Sequence, residues 1–295
     1  MIITKLSGGL GNQLFQYALA RQLAYQHNTE VKLDVSLYKN PPKESTKRNF
    51  ELQNLHINAE IAQQEEIDKI KRKNLKGVFK SIYWRTQYLK PYYKQNLIKE
   101  QSCTFDKDIL NSHDNIYLEG YWQSAKYFPS IREILLTDFR PKVFGTPEEN
   151  DYMSRIKNSN SISIHIRRGD YITNPKHKEI YKTISSDYYF QAMDFLNEKV
   201  KNPVFFIFSD DMNWVKSIFN IKNYNITFVE IDNAVSCMHL MTNCMCNIIA
   251  NSTFGWWGAW LNQNKNKVVV SPKEWFTVEC KLKTDDLIPK EWIKK

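Results

Sequence analysis

The chain alternates short apolar runs with longer amphipathic ones, a pattern that predicts an α/β protein. Residues 1–6 read as a buried strand. Residues 12–27 read as a helix, because Leu14, Phe15, Ala18, Leu19 and Leu23 recur at helical spacing. A strand is predicted at 31–35, a breaker-rich loop at 40–49, charged helix over 60–100, a strand at 115–119 and a helix at 124–136. A second series follows. Residues 161–166 alternate like a strand, 186–201 read as a helix, and 203–208 form an apolar strand of the kind buried on both faces of a parallel sheet. The pattern continues with a helix at 211–219, a strand at 226–231, a helix at 235–245, a strand at 247–250, a helix at 253–261 and a strand at 268–271. The stretch 140–150 is the best linker, so the predicted domains are 1–145 and 146–295. Two Rossmann-like domains facing a cleft are expected, with the ligand at the carboxyl ends of the strands.

Composition agrees with a folded protein: 42% of the 295 residues are hydrophobic and 25% charged, which excludes disorder. No apolar run reaches the roughly 18 residues of a membrane span, and residues 1–6 do not resemble an export signal. A cytoplasmic location is therefore the expectation. The 41 Lys+Arg against 32 Asp+Glu give +9, which favours anionic partners: nucleic acid, an acidic membrane surface or a phosphorylated ligand. Much of the excess is scattered lysine (Lys69, Lys71, Lys73, Lys76, Lys80), which usually means a solvated helix face. The five cysteines are Cys103, Cys237, Cys244, Cys246 and Cys280, an odd number that argues for reduced thiols. Cys237, His239, Cys244 and Cys246 lack the paired spacing of a structural zinc site. They read instead as small buried hydrophobes.

Glycine is scarce, and seven of the nine fall in four groups after predicted strands: Gly8, Gly9 and Gly11; Gly120; Gly169; Gly255 and Gly258. The first group lies in SGGLGNQ, between a strand and a helix, where backbone N–H groups can face an anion. It lacks the Lys-Ser/Thr of a Walker loop and completes no G-x-G-x-x-G. Gly169 follows His165-Ile166-Arg167-Arg168. Two arginines at a buried strand end are costly without anionic partners, and arginine gives bidentate contacts to phosphate. Asp170 is placed to orient one arginine; an interdomain ion-pair network is the structural alternative. After the strand at 203–208, Asp210 and Asp211 suit a ribose, a base edge or a metal, while Ser209 or Asp210 is expected to cap the next helix. Ser252 and Thr253 open a helix, as a phosphate site requires. The Trp256/Trp260 and Trp257/Leu261 pairs in that helix favour packing over sugar stacking.

The segments SGGLGNQLFQ (7–16), YLEGYWQSAKYF (117–128), HIRRGD (165–170), Ser209-Asp210-Asp211 and NSTFGWWGAWL (251–261) together resemble bacterial α-1,2-fucosyltransferases of glycosyltransferase family 11. The resemblance runs in order along nearly the whole chain. It implies a GT-B-like architecture and transfer of L-fucose, with inversion and without metal or cofactor. The donor would be GDP-β-L-fucose and the acceptor the 2-hydroxyl of a terminal galactoside, with a lipid-linked acceptor and loose contact with an inner membrane left open. It further implies that Arg167 holds the β-phosphate of departing GDP and that Arg168 and Asp170 complete this pocket. His165 with Asp210 or Asp211 would lie near guanine, and Ser252, Thr253 and Phe254 would line the nucleotide site. Asn12 would face the reacting sugar, with Gly9, Gly11, Tyr121, Trp122 and Gln123 as cleft or acceptor residues. Helix capping is the structural alternative for Asn12. One departure is Gly255, where related sequences often carry serine.

Three other readings compete. They are a GDP-fucose transferase of different linkage, a metal-dependent transferase using Asp210 and Asp211, and a basic nucleic-acid-binding protein. The last lacks any recognisable binding module. Asp34, Glu119 and Asp170 are the candidates for a general base.

Overall fold

The computed structural model describes residues 1–41, 46, 48–219, 223–277 and 284–295. Part of the predicted loop at 40–49, and Cys280, lie outside the described residues. Two compact units emerge: Met1–Phe139 with Asp285–Leu287, and Arg140–Thr284 with Ile288–Lys295. The division falls at Phe139/Arg140, ahead of the expected break at 145.

The first unit contains β1 (Ile2–Lys5), α1 (Leu10–His27), β2 (Val31–Asp34), α2 (Ser36–Lys39), β3 (Glu60–Ile61), α3 (Gln64–Ile70), α4 (Gly77–Tyr88), β4 (Leu97–Lys99), β5 (Ile116–Glu119) and α5 (Arg132–Asp138). Its sheet has the order β3-β2-β1-β5-β4, with every pairing parallel. Helix α1 starts two residues before the predicted Asn12. Gly9 occupies its N-cap, and Gly8 precedes it at φ +76°. A side chain at Gly8 would be strained by that φ, and its Cβ would lie 2.5 Å from Asn12 Nδ2. The predicted helix at 124–136 is instead a 3₁₀ turn, Ala125–Tyr127, followed by α5. Pro129 explains the break, since it lacks an N–H and disfavours helical geometry at Phe128. The 60–100 stretch holds α3 and α4 but also two short strands. At two and three residues, these are too short for periodicity to register.

The second unit contains α6 (Pro147–Lys157), β6 (Asn160–Ile166), α7 (Gly169–Thr173), α8 (Pro175–Ile180), α9 (Ser186–Lys199), β7 (Pro203–Ser209), α10 (Met212–Phe219), β8 (Asn225–Phe228), α11 (Ala234–Thr242), β9 (Cys246–Ile248), α12 (Thr253–Trp260), β10 (Val269–Ser271) and β11 (Ile293–Lys294). The sheet order is β11-β10-β9-β6-β7-β8, again all parallel. Strand β7 shows why its apolar run is continuous. Phe205 and Ile207 pack with α9 and α10 residues on one face, while Phe206 and Phe208 pack with α6 and α11 residues on the other. The predicted linker is corrected in part: α6 begins inside it, at Pro147. Thr146 Oγ1 accepts from Glu149 N at 3.2 Å, and the Glu149 carboxylate accepts from Thr146 N at 3.0 Å, a reciprocal capping box.

The cysteines expected to act as small hydrophobes do so. Cys244 and Cys246 are buried, and burial pushes the Cys237 thiol up to about 12. The His239 ring packs against Phe144 at 4.8 Å rather than turning to the thiols. Trp256 and Trp260 stack at 5.9 Å as helix packing, and Trp256 and Trp257 are fully buried.

Candidate active site

Strands β9, β6 and β7 are neighbours and run parallel, so their carboxyl ends share one edge of the second unit's sheet. That edge gathers residues 167–170 after β6, 210–211 after β7 and 252–254 after β9. Three segments spread over more than eighty residues thus reach the position where open parallel sheets bind ligands.

Arg167 sits between two carboxylates. One Nη pairs with Asp170 and the other lies 2.9 Å from Asp210 Oδ2. Burial alone would lower the Arg167 pKa; the Asp210 and Asp170 charges outweigh it and hold the guanidinium protonated. Asp210 also accepts from Arg168 N at 2.9 Å. Arg168 Nε lies 3.3 Å from Asp211 Oδ2, and its guanidinium covers the Trp214 ring at 3.9 Å. The two arginines are therefore matched by three carboxylates rather than presented as bare cations. All five residues belong to the second unit, so this is not the interdomain network weighed above. The capping expectation is corrected as well. Asp211, not Ser209 or Asp210, accepts from the α10 backbone at Trp214 N, 3.2 Å away. Asp210 is already committed to the arginines.

His165 points from β6 toward the start of α12. It is 5% exposed, 5.2 Å from the Phe254 ring, and its Nδ1 finds no hydrogen-bond partner among the described residues. Burial, helped by the Arg167 charge, pulls its pKa down to about 3, so the ring is neutral. A Cβ at Gly255 would meet that Nδ1 at 2.7 Å. Gly255 thus allows the close β6–α12 contact that this His165 position makes. Ser252 occupies the α12 N-cap without its side chain capping the helix.

The first unit gathers a second constellation around the turn between β1 and α1. Asn12 lies in the first turn of α1, and its Oδ1 accepts from Gln123 Nε2 at 3.0 Å. It is not the cap; Gly9 is. Gln16 joins the two glycine segments, donating to Ser7 Oγ at 2.9 Å and to Gly120 O at 3.0 Å. Trp122 is buried at φ +57°, with its edge on Tyr127, whereas Tyr121 is 46% exposed. Gly11 is buried inside α1. Among the base candidates, Asp34 accepts from Tyr117 Oη at 2.6 Å and Ser36 N at 2.9 Å. Burial alone would raise its pKa, and these donors outweigh it and lower it. Glu119 pairs with Lys5 at 2.8 Å, and Asp170 is engaged by Arg167.

The family model for glycosyl transferase family 11 matches residues 1–295. The chain belongs to glycosyltransferase family 11. An α-1,2-colitosyltransferase of Escherichia coli is 32% identical over 100% of this chain and 98% of its own length. The O-antigen biosynthesis glycosyltransferase WbnK, also of Escherichia coli, is 34% identical over 98% of both. A galactoside 2-α-L-fucosyltransferase, SEC1 of Bos taurus, is more distant, at 26% over 50% of this chain and 42% of its own. Among solved structures, a mutant of FUT1 from Arabidopsis thaliana in complex with GDP covers 91% of this chain and 69% of its own at a TM-score of 0.50 and 12% identity. That likeness concerns the fold, and the expected α/β class with Rossmann-like, GT-B-type units is what the two parallel sheets show.

Within this family 11 chain, one residue of the first constellation escaped the sequence reading. Glu100 accepts from Tyr121 N at 2.7 Å and Trp122 N at 2.9 Å, and so holds the turn that carries Gln123. Burial raises its pKa against those two bonds. No motif marks it, since it follows the strand β4 that periodicity also missed. Trp214 was visible only as a residue of the next helix. Its role under Arg168 depends on β7 lying beside β6.

Proposed function

We propose that the chain is an inverting, metal-independent glycosyltransferase that moves L-fucose from GDP-β-L-fucose to the 2-hydroxyl of a terminal galactoside. The observation that carries this reading is the meeting of Arg167, Arg168 and the α12 N-terminus at the carboxyl ends of three adjacent parallel strands. In the proposal the second unit, Arg140–Thr284 with Ile288–Lys295, binds the donor, and the first, Met1–Phe139 with Asp285–Leu287, serves the acceptor side. Arg167 takes the β-phosphate, where a preorganised cation favours the charge that builds as GDP leaves. Asp170, Asp210 and Asp211 fix the arginines in place, a task that occupies the carboxylates a metal would need. Ser252 and Thr253 offer a hydroxyl and backbone N–H groups to the diphosphate, and neutral His165 with Phe254 lies toward the base.

In the transfer the acceptor oxygen bonds to the anomeric carbon on the face opposite GDP, and the bond from that carbon to the phosphate oxygen breaks. The acceptor proton leaves to solvent or to a carboxylate. An oxocarbenium-like transition state reduces the demand for a strong base. Asn12, with an amide that both donates and accepts, orients a sugar hydroxyl, and Gly9, Gly11, Tyr121, Trp122 and Gln123 complete its surroundings.

The full-length similarity to an α-1,2-colitosyltransferase supports a second reading, in which the same site transfers a colitosyl group. The experiment is a donor panel with GDP-fucose, an activated colitosyl donor, GDP-mannose and UDP-galactose. A β-galactoside is the acceptor, and product linkage is read by NMR. GDP-fucose turnover with a new α-1,2 linkage supports the proposal. Selective use of the colitosyl donor replaces it with the second reading, and use of UDP-galactose alone overturns both.

A further inference from the structure

Helix α4 reads GVFKSIYWRTQY, and of its residues only Gln87 is buried. Gln87 faces inward, where its Oε1 accepts from Asn96 N at 3.1 Å. At helical spacing, Val78, Ile82, Arg85 and the following Leu89 fall on the opposite face. Val78 is 71% exposed, Phe79 76%, Ile82 55% and Leu89 84%. An apolar stripe at this spacing ordinarily turns toward a core. This one turns outward, and clustered exposure of that kind marks an interaction surface.

Charge decides what the surface fits. Residues 69–99 carry ten of the chain's 41 lysines and arginines and none of its 32 aspartates and glutamates. The remainder of the chain is balanced, so its whole positive excess resides in this one segment. Lys73 and Lys99 are paired with Asp68 and Glu119. Lys76, Lys80, Arg85 and Lys90 are exposed on and beside α4. A second copy of the chain is a poor complement, because a two-fold contact sets the same patch against itself and cations would face cations. No helix among the described residues is long and apolar enough to cross a membrane.

We propose that α4 lies flat on an anionic lipid surface. Val78, Phe79, Ile82 and Leu89 enter the boundary between head groups and acyl chains, and Arg85 on the same face, with Lys76 and Lys90 flanking the helix ends, meets the anionic head groups. This surface is independent of which sugar the chain transfers.

The test is vesicle flotation of the whole chain, with mixed phosphatidylglycerol–phosphatidylcholine vesicles set against phosphatidylcholine alone. The wild type floats with the anionic vesicles, does not float with the neutral ones, and is released by salt. Two variants separate the contributions: Phe79→Ser/Ile82→Ser, and Lys76→Gln/Arg85→Gln. Each lowers the bound fraction about tenfold while the melting curve by circular dichroism stays unchanged. Absence of flotation with anionic vesicles overturns the proposal, as does undiminished flotation of both folded variants. A lipid-free dimer in sedimentation that Phe79→Ser/Ile82→Ser abolishes would assign the face to a second copy instead.

Discussion

Arg167 is held by Asp170 on one side and Asp210 on the other, and that geometry decides which substitution is informative. Arg167→Ala leaves two partly buried carboxylates without their shared cation and should cost about 3 kcal/mol of stability. It therefore tests folding as much as chemistry. Arg167→Lys keeps the charge but loses the planar fork. We expect it to remain folded with turnover down about 100-fold, a barrier increase of about 2.7 kcal/mol; near-normal turnover would reduce Arg167 to a structural ion pair. Asn12 is a different case, because Gly9 and not Asn12 caps α1. Asn12→Ala should lose its bond from Gln123, about 1 kcal/mol, and keep GDP affinity while turnover falls about 10- to 1000-fold. Gln123→Ala removes the same bond and is the control: if it lowers turnover equally, Asn12 acts only through Gln123. The sequence made the identities of these residues visible. It did not reveal that three carboxylates stand against the two arginines, because Asp210 and Asp211 arrive on a different strand.

At the scale of elements, β6 and α12 meet through His165 and Gly255. The Cβ of Gly255→Ala would lie 2.7 Å from His165 Nδ1. Overpacking of this kind costs about 1–3 kcal/mol, measurable as a shift in the urea midpoint. In a His165→Ala background the same change should cost much less, since the coupling of two touching residues vanishes when one is removed. Equal costs in both backgrounds would place the strain elsewhere. Legibility of the elements followed length and pattern. Strands β6 and β7, seven residues each, and the long helix α1 announced themselves. Strands β3, β4 and β11 did not, because each holds at most two consecutive apolar residues among polar ones, whereas the equally short β10 lies in a run of three valines and β9 runs into Ile248-Ile249-Ala250. The start of α6 was different: its Thr-Pro-Glu-Glu signal was present but obscured by nearby breakers.

The whole molecule integrates these local shifts into its response to conditions. His165 binds a proton at an ordinary pKa near 6.5 when unfolded but only at about 3 when folded. Its contribution is thus fully present above pH 6.5 and is lost as pH falls toward 3. Between pH 7 and pH 5 this should remove about 2 kcal/mol of stability. Urea unfolding of the wild type and His165→Asn at both pH values checks it; an unchanged pH dependence in the variant would reject the assignment. On the proposed reading, transfer activity as a whole should persist in excess EDTA, because guanidinium and helix-terminal groups would meet the diphosphate. Loss of activity restored by Mn²⁺ would shift the role to Asp210 and Asp211. The sequence by itself determined the α/β class, the two parallel α/β series and the segments that gather at the strand ends, because alternation, helical spacing and glycine–arginine motifs are local properties. Only tertiary structure decided which carboxylate serves which arginine, that Gly255 packs against His165, that Glu100 holds the Trp122 turn, and that the apolar stripe of α4 faces outward. Each of these depends on strand order and packing between residues far apart in the chain, which no local pattern encodes.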